Sequence, residues 1–287
     1  MYLGYNTNGL AFHHWPDASI DLLAEAGYKA VGITLDHHCL NPFQDERSLA
    51  AEIDEVREKL SACGMKSVIE TGARFLLDPR SKHEPTLITP SETGRQQRIE
   101  FLKRAIDISA ELEADAVSFW AGVPRGEETD FEQRWKWLVE GCRKVTEYAE
   151  SKAVKIAFEP EPGMLVESFE QFQQLKDAVD SPLFGLTVDI GHVQCVEPRP
   201  IPDYLREWGP HVFNIHIEDM VRGVHDHLRF GEGEIDFVSV LQALAEVDYA
   251  GGLYVELSRH SHMAPDVLAE SIDFLQAKAE SAGVELS

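Results

Sequence analysis

Eight short apolar runs, each followed by a longer amphipathic segment, fill this chain from end to end, and that rhythm restricts its fold more than any other feature. The runs are YLGYN (2–6), AVGITL (30–35), KSVIET (66–71), AVSFWA (116–121), KIAFEP (155–160), GLTVDI (185–190), VFNIHI (212–217) and LYVELS (253–258). Near-continuous apolar strands separated by helical segments are the pattern of a parallel sheet buried beneath its crossover helices. Helices are predicted near 18–26, 48–62, 92–113, 130–151, 168–180, 201–208, 236–247 and 265–281. Eight such pairs without a break in composition favour one closed (β/α)8 barrel, an α/β TIM barrel, over an open doubly wound sheet. A length of 287 residues suits that barrel as a single domain spanning 1–287.

Start signals support the helices: cap chemistry at Thr89 to Glu92, Ser168 opening ESFEQF, and Pro265 in a first turn. Two connections are unusually long, 72–91 after the third strand and 218–235 after the seventh. In a barrel such loops are expected to act as lids or binding segments.

Hydrophobic residues make up 44% and charged ones 26%, enough to bury a core without disulfides. The 50 acids against 26 Lys and Arg leave a formal charge of −24. That charge repels polyanions, so nucleic acid is not an expected partner, and anionic membranes are disfavoured too. Cys39, Cys63, Cys142 and Cys195 form no C-x-x-C pair, and the N-terminus lacks the regions of a signal peptide. A cytoplasmic location is the expectation, with no membrane span, because no apolar run approaches 18 residues.

The C-terminal ends of the last four strands carry Glu159 (FEPEPG), Asp189 (TVDIGH), His216 (NIHIED) and Glu256 (YVELSR). In a barrel those ends converge on the face where active sites form. Three carboxylates and one imidazole are hard to borderline ligands, suited to one divalent ion among Mn²⁺, Mg²⁺, Co²⁺ and Zn²⁺. Each ends an apolar run where an uncompensated charge would be costly, which argues against a purely structural role. His192, three residues past Asp189, is expected to meet substrate rather than the ion.

These segments resemble the xylose-isomerase-like TIM-barrel superfamily: the sugar isomerases, the ketose 3-epimerases and the more distant endonuclease IV branch. The resemblance covers nearly the whole chain and is carried by EP (159–160), DIGH (189–192), HIED (216–219), GEGEID (231–236) and VELS (255–258). It implies that Glu159, Asp189, His216 and Glu256 hold one divalent metal ion, and that His192 and Arg222, six residues after His216, grip substrate oxygens. It also implies an isomerase or epimerase of a small sugar or ketose, working through a metal-stabilised enediolate with Glu159 and Glu256 as acid and base. A metal-dependent lyase, dehydratase or hydrolase on a modified sugar, or a barrel that only binds a metabolite, are the alternatives.

The departures are informative. The endonuclease IV branch carries three zinc ions, with an Asp-x-His pair after the seventh strand and further histidines earlier. Here His225 and His227 have that spacing with His in the Asp position, while Glu70 and Trp120 end the third and fourth strands. A full trinuclear site is therefore not expected. His227 and Trp120 are expected to line the substrate pocket, Trp120 by stacking on a sugar ring. His13, His14, His37 and His38 follow the first two strands and could line a pocket as well. Arg74, Arg80, Lys82 and His83 form a cationic patch in an acidic chain. Recognition of a substrate phosphate or carboxylate fits it, and so does a contact in a homo-oligomer.

Overall fold

Every one of the eight apolar runs forms a strand: β1 (Tyr2–Asn6), β2 (Ala30–Thr34), β3 (Lys66–Glu70), β4 (Val117–Trp120), β5 (Ile156–Glu159), β6 (Phe184–Asp189), β7 (Val212–Ile217) and β8 (Gly252–Val255). In the computed structural model, which describes residues 1–126 and 129–287, the strands are parallel and close in sequence order, with β8 pairing back to β1. The (β/α)8 barrel is thus the fold. Helices α1 (Asp17–Ala26), α2 (Glu46–Cys63), α3 (Glu92–Leu112), α4 (Phe131–Ser151), α5 (Phe169–Val179), α7 (Ile201–Trp208), α8 (Phe237–Glu246) and α9 (Ala264–Ala282) follow the predicted segments to within a few residues. A further short helix, α6 (Ile190–Val196), was not expected. Among the described residues no helix is long and apolar enough to cross a membrane.

Local chemistry sets these boundaries. Asp45, Ser91, Asp130 and Ser168 each accept a backbone N–H as N-caps, and Ser168 with Gln171 completes a capping box. Gly27, Gly64 and Gly283 end α1, α2 and α9 in the left-handed conformation.

Side chains alternate across each strand, so every second residue faces the barrel axis. Outward-facing residues join the helices in one large core, in which Phe158 packs against Phe119, Phe172 and Phe184. The inward set is layered. At the N-terminal end Tyr2, Ala30, Val68 and Tyr254 form their own small apolar cluster. A Cβ on Gly4 would come within 2.5 Å of the Tyr254 ring, so glycine is what admits that ring. Above it the interior turns polar: the Ser118 and Thr187 hydroxyls are 2.8 Å apart, and Asn214 donates to Glu70 at 3.0 Å. The C-terminal ends of the strands sit on this polar layer.

Candidate active site

Register brings the strand-end residues together. Asp189 pairs across the sheet with His216, and Trp120 with Glu159. One donor atom from each of Glu159, Asp189, His216 and Glu256 lies within 4.8 Å of the others. His216 Nδ1 is 3.2 Å from Glu159 Oε1, 2.9 Å from Glu256 Oε2 and 4.0 Å from Asp189 Oδ2. Glu256 follows β8 directly, its N–H donating to the Ile217 carbonyl, so the last turn of the ladder still fixes it.

Neighbouring groups orient this set. Glu70 accepts from His216 Nε2 at 2.9 Å, which directs Nδ1 at the other three acids. Asn8, after β1, donates to Glu256 Oε1 at 2.8 Å. Asp189 also caps α6: its Oδ1 accepts from the His192 N–H at 2.9 Å, while Oδ2 is buried without a hydrogen-bond partner. A buried carboxylate oxygen left free is costly unless a cation meets it. Together with that oxygen, the carboxylates of Glu159 and Glu256 and the imidazole of His216 make a donor set that fits one hard or borderline divalent ion.

The electrostatics have the same origin. Burial drives the Glu159 carboxyl up to about 7, against the opposing pull of His216. Burial also raises Glu256, but His216 and His227 outweigh it and bring the group to about 2. Asp189 is likewise held below its ordinary value, because the imidazoles of His192, His227 and His216 overcome the effect of burial. Burial works against charge on His216, yet Glu70, Glu256 and Glu159 raise it well above the ordinary histidine range. The His216 imidazolium is thus the counter-charge of the acid cluster, a part that a divalent ion would take over.

Above this floor opens a cavity of about 690 Å³. His192, His225 and His227 form one wall, with a nitrogen from each within 4.8 Å of the others. His192 Nδ1 donates to the Pro160 carbonyl at 3.3 Å, and its Nε2 is 3.0 Å from His225 Nε2. Burial lowers His192 to about 4, so this imidazole is neutral at pH 7. Trp120 and His83 are on the lining as well, packed ring edge to ring face at 5.3 Å. Asn6, Thr34, Thr71, Glu161, Arg74, Lys82 and Arg259 are also on the lining.

Several expected residues lie elsewhere. Arg222 is directed away from the cavity: its guanidinium donates to the Glu197 carbonyl at 2.9 Å and to Gln194 Oε1 at 3.3 Å. The end of α6 presents carbonyls that attract a cation, and they draw Arg222 outward. His13 and His38 line a separate pocket of about 140 Å³, His14 and His37 line neither space, and Arg80 is not at the cavity.

Sequence reasoning missed Glu70, Asn8 and Glu161 as parts of the site. Glu70 carried a signal, an acid ending a buried run as Glu159 does. The carboxyl of Glu161 is pushed well above the usual range by burial and by Glu159, Glu256 and Asp189. Glu218, wholly buried behind the site, accepts from the Gly191 N–H at 3.0 Å.

Known proteins share this fold. The chain is 24% identical over 245 residues to the L-ribulose-5-phosphate 3-epimerase UlaE of Shigella flexneri serotype 5b, covering 81% of this chain and 85% of that one. Among solved structures, the IolI protein with a bound zinc atom superposes with a TM-score of 0.77 at 20% identity, covering 98% of this chain and 99% of the other. An L-ribulose 3-epimerase superposes with a TM-score of 0.76 at 16% identity, covering 99% and 96%. The model of the xylose isomerase-like TIM barrel family matches residues 20–278, nearly the entire barrel, and the chain belongs to that family.

Proposed function

We propose that the protein is a divalent-metal-dependent epimerase or isomerase of a small ketose or related sugar derivative, with Glu159 and Glu256 as its proton-transfer pair. The observation that carries this reading is the pair of carboxylates at the ends of β5 and β8, 3.2 and 2.9 Å from His216 Nδ1 at the floor of a cavity large enough to admit a sugar. Relatives named as ribulose-5-phosphate and L-ribulose 3-epimerases support the same class of reaction.

Glu159, Asp189, His216 and Glu256 would hold the ion. When bound, it supplies positive charge beside substrate oxygens that become anionic as the α-proton leaves. The rest falls to the chain itself. One glutamate removes the proton next to the substrate carbonyl and the other delivers a proton to the opposite face, which inverts that carbon. Asn8 fixes Glu256 through Oε1 and leaves Oε2 for the transfer. His227 offers a ring nitrogen to sugar hydroxyls, His192 offers its Nε2 when a hydroxyl takes the place of His225, Trp120 offers an aromatic face, and the buried floor keeps water from competing for the proton.

The test is solvent deuterium incorporation into a panel of ketoses by Mn²⁺-loaded protein. Deuterium should enter an otherwise isomeric product. Glu159→Gln and Glu256→Gln should each lower the exchange rate by about 10²-fold or more. Release of a fragment instead of an isomer would identify a lyase, and exchange at the parent rate in either variant would remove that residue from the pair.

A further inference from the structure

The cavity is electrostatically two-ended. Its floor is a cluster of acids, whereas the wall built by the 72–91 connection carries Arg74 and Lys82. We propose that this wall is a subsite for an anionic group, a phosphate or carboxylate at the far end of the sugar, held by Arg74 and Lys82. The inference rests on reading the cavity as a sugar site and adds the substrate class.

Three observations support it. The first is unspent charge. Among the described residues neither Arg74 nor Lys82 has a carboxylate within ion-pair distance, in a chain of 50 acids and 26 Lys and Arg. Among the described residues the only hydrogen bond of the Arg74 guanidinium is to the Asn8 carbonyl at 3.3 Å, which leaves most of its donors for a ligand. By contrast Arg259, the other cation on the lining, is paired with Asp226.

The second is the way the loop is held. Ala73, Arg74 and His83 have φ of 57°, 29° and 70°, a region that residues with a side chain rarely adopt. Such a conformation persists only when its surroundings impose it. Here the His83 N–H donates to the Arg74 carbonyl and His83 Nδ1 to the Gly72 carbonyl, both at 2.5 Å. Arg98 holds the Thr71 carbonyl at 2.8 Å, and the Ala73 and Leu77 side chains are buried. Arg74 and Lys82 therefore stand on a braced strip of backbone beside the cavity.

The third is the cation behind the wall. Arg98 is 1% exposed, its guanidinium lies 4.6 Å from the centre of the Trp120 ring, and among the described residues its Nη1 has no hydrogen-bond partner. Its charge adds to those of Lys82 and Arg74. Burial, and after it these three cations, bring the neighbouring His83 down to about 4. An anion there would be attracted by three charges, two of which it can touch.

Calorimetry on Mn²⁺-loaded protein with three non-reacting probes tests the proposal: a pentitol, the pentitol 5-phosphate and the aldonate of the same chain length. At least one charged probe should bind about tenfold or more tightly than the neutral pentitol, the gain of a charge-assisted hydrogen bond or two. Which one does so identifies the group as phosphate or carboxylate. The Arg74→Gln/Lys82→Gln double variant should lose that advantage while keeping its metal content. Lys82 is exposed, so Lys82→Gln alone gives the same direction should the double variant be unstable. Charged probes that bind no better than the pentitol, no measurable binding of any probe, or an advantage that survives both substitutions would each overturn the proposal. Absence of proton exchange with every ketose, alongside an intact advantage for charged probes, would refute the epimerase reading alone.

Discussion

Removing Glu70 should weaken metal binding by about 10- to 100-fold although Glu70 is not among the four residues that would hold the ion. Its Oε1 accepts from His216 Nε2 at 2.9 Å and from Asn214 Nδ2 at 3.0 Å. The first bond settles which imidazole nitrogen faces the acid cluster. A hydrogen bond to a charged group is worth about 1.5–3 kcal/mol, and each 1.4 kcal/mol is a factor of ten in affinity. In Glu70→Ala that sum is lost and His216 is free to rotate or change tautomer. In Glu70→Gln a neutral acceptor survives, and the loss should stay near or below about tenfold. The assay is competition for Mn²⁺ between a chelating dye and the stripped protein at pH 7.5, with melting temperatures recorded in chelator to separate affinity from folding. A Glu70→Ala protein that binds Mn²⁺ as tightly as the parent would show that the bond has no part in orienting His216.

Other perturbations probe separate parts of the account. Arg222→Ala should leave the exchange rate near that of the parent and lower the melting temperature, because its guanidinium holds the end of α6 and does not line the cavity; a collapse of activity at normal stability would put Arg222 back at the substrate. Gly191→Ala should cost about 1–3 kcal/mol of stability through overpacking and reduce metal affinity, since the new Cβ would fall 2.0 Å from Glu218 Oε1 and 3.2 Å from Asp189 Oδ1; a variant with parent-like urea unfolding and metal affinity would refute this. His83, brought by burial to about 4, takes up fewer protons in the folded than in the unfolded chain between pH 6.5 and 4, so its share of stability is lost as pH falls through that window. His83→Asn keeps a donor for the Gly72 carbonyl and does not titrate, so its urea midpoint should drop less between pH 7 and pH 4.5; parallel curves would contradict the assignment.

Much of this molecule is written in local pattern. The apolar runs gave each strand to within three residues because buried parallel strands leave little room for polar exceptions, and the strand-end position of the four candidate ligands followed from the same periodicity. What stayed hidden depends on directions that spacing does not encode. Arg222 sits six residues past His216, but the connection turns between them, and the free carbonyl at Glu197 decides where the guanidinium goes. Asn8 meets Glu256 from 248 positions away. The helix after Asp189 is only seven residues long, too short for a periodic signal, and it exists because that aspartate caps it. For the cationic patch the sequence offered two meanings, and the orientation of the 72–91 connection turns Arg74, Lys82 and His83 toward the cavity.

The two halves of the barrel contribute to the cavity unequally. Strands β5 to β8 and their connections supply the acid and imidazole floor and the histidine wall, while the connections after β1 and β3 and the end of β4 bring Phe12, Arg74, Lys82, His83 and Trp120. A chain divided this way can diversify by parts. Grafting a relative's 72–91 segment into this scaffold would alter what the cavity accepts and leave the floor intact, provided Asn8 and Glu70 are spared, because those two side chains from the first half are bonded to the floor. Drift in substrate preference among paralogues should accordingly concentrate in the first half of the gene, and an engineer seeking a new sugar would randomise there first.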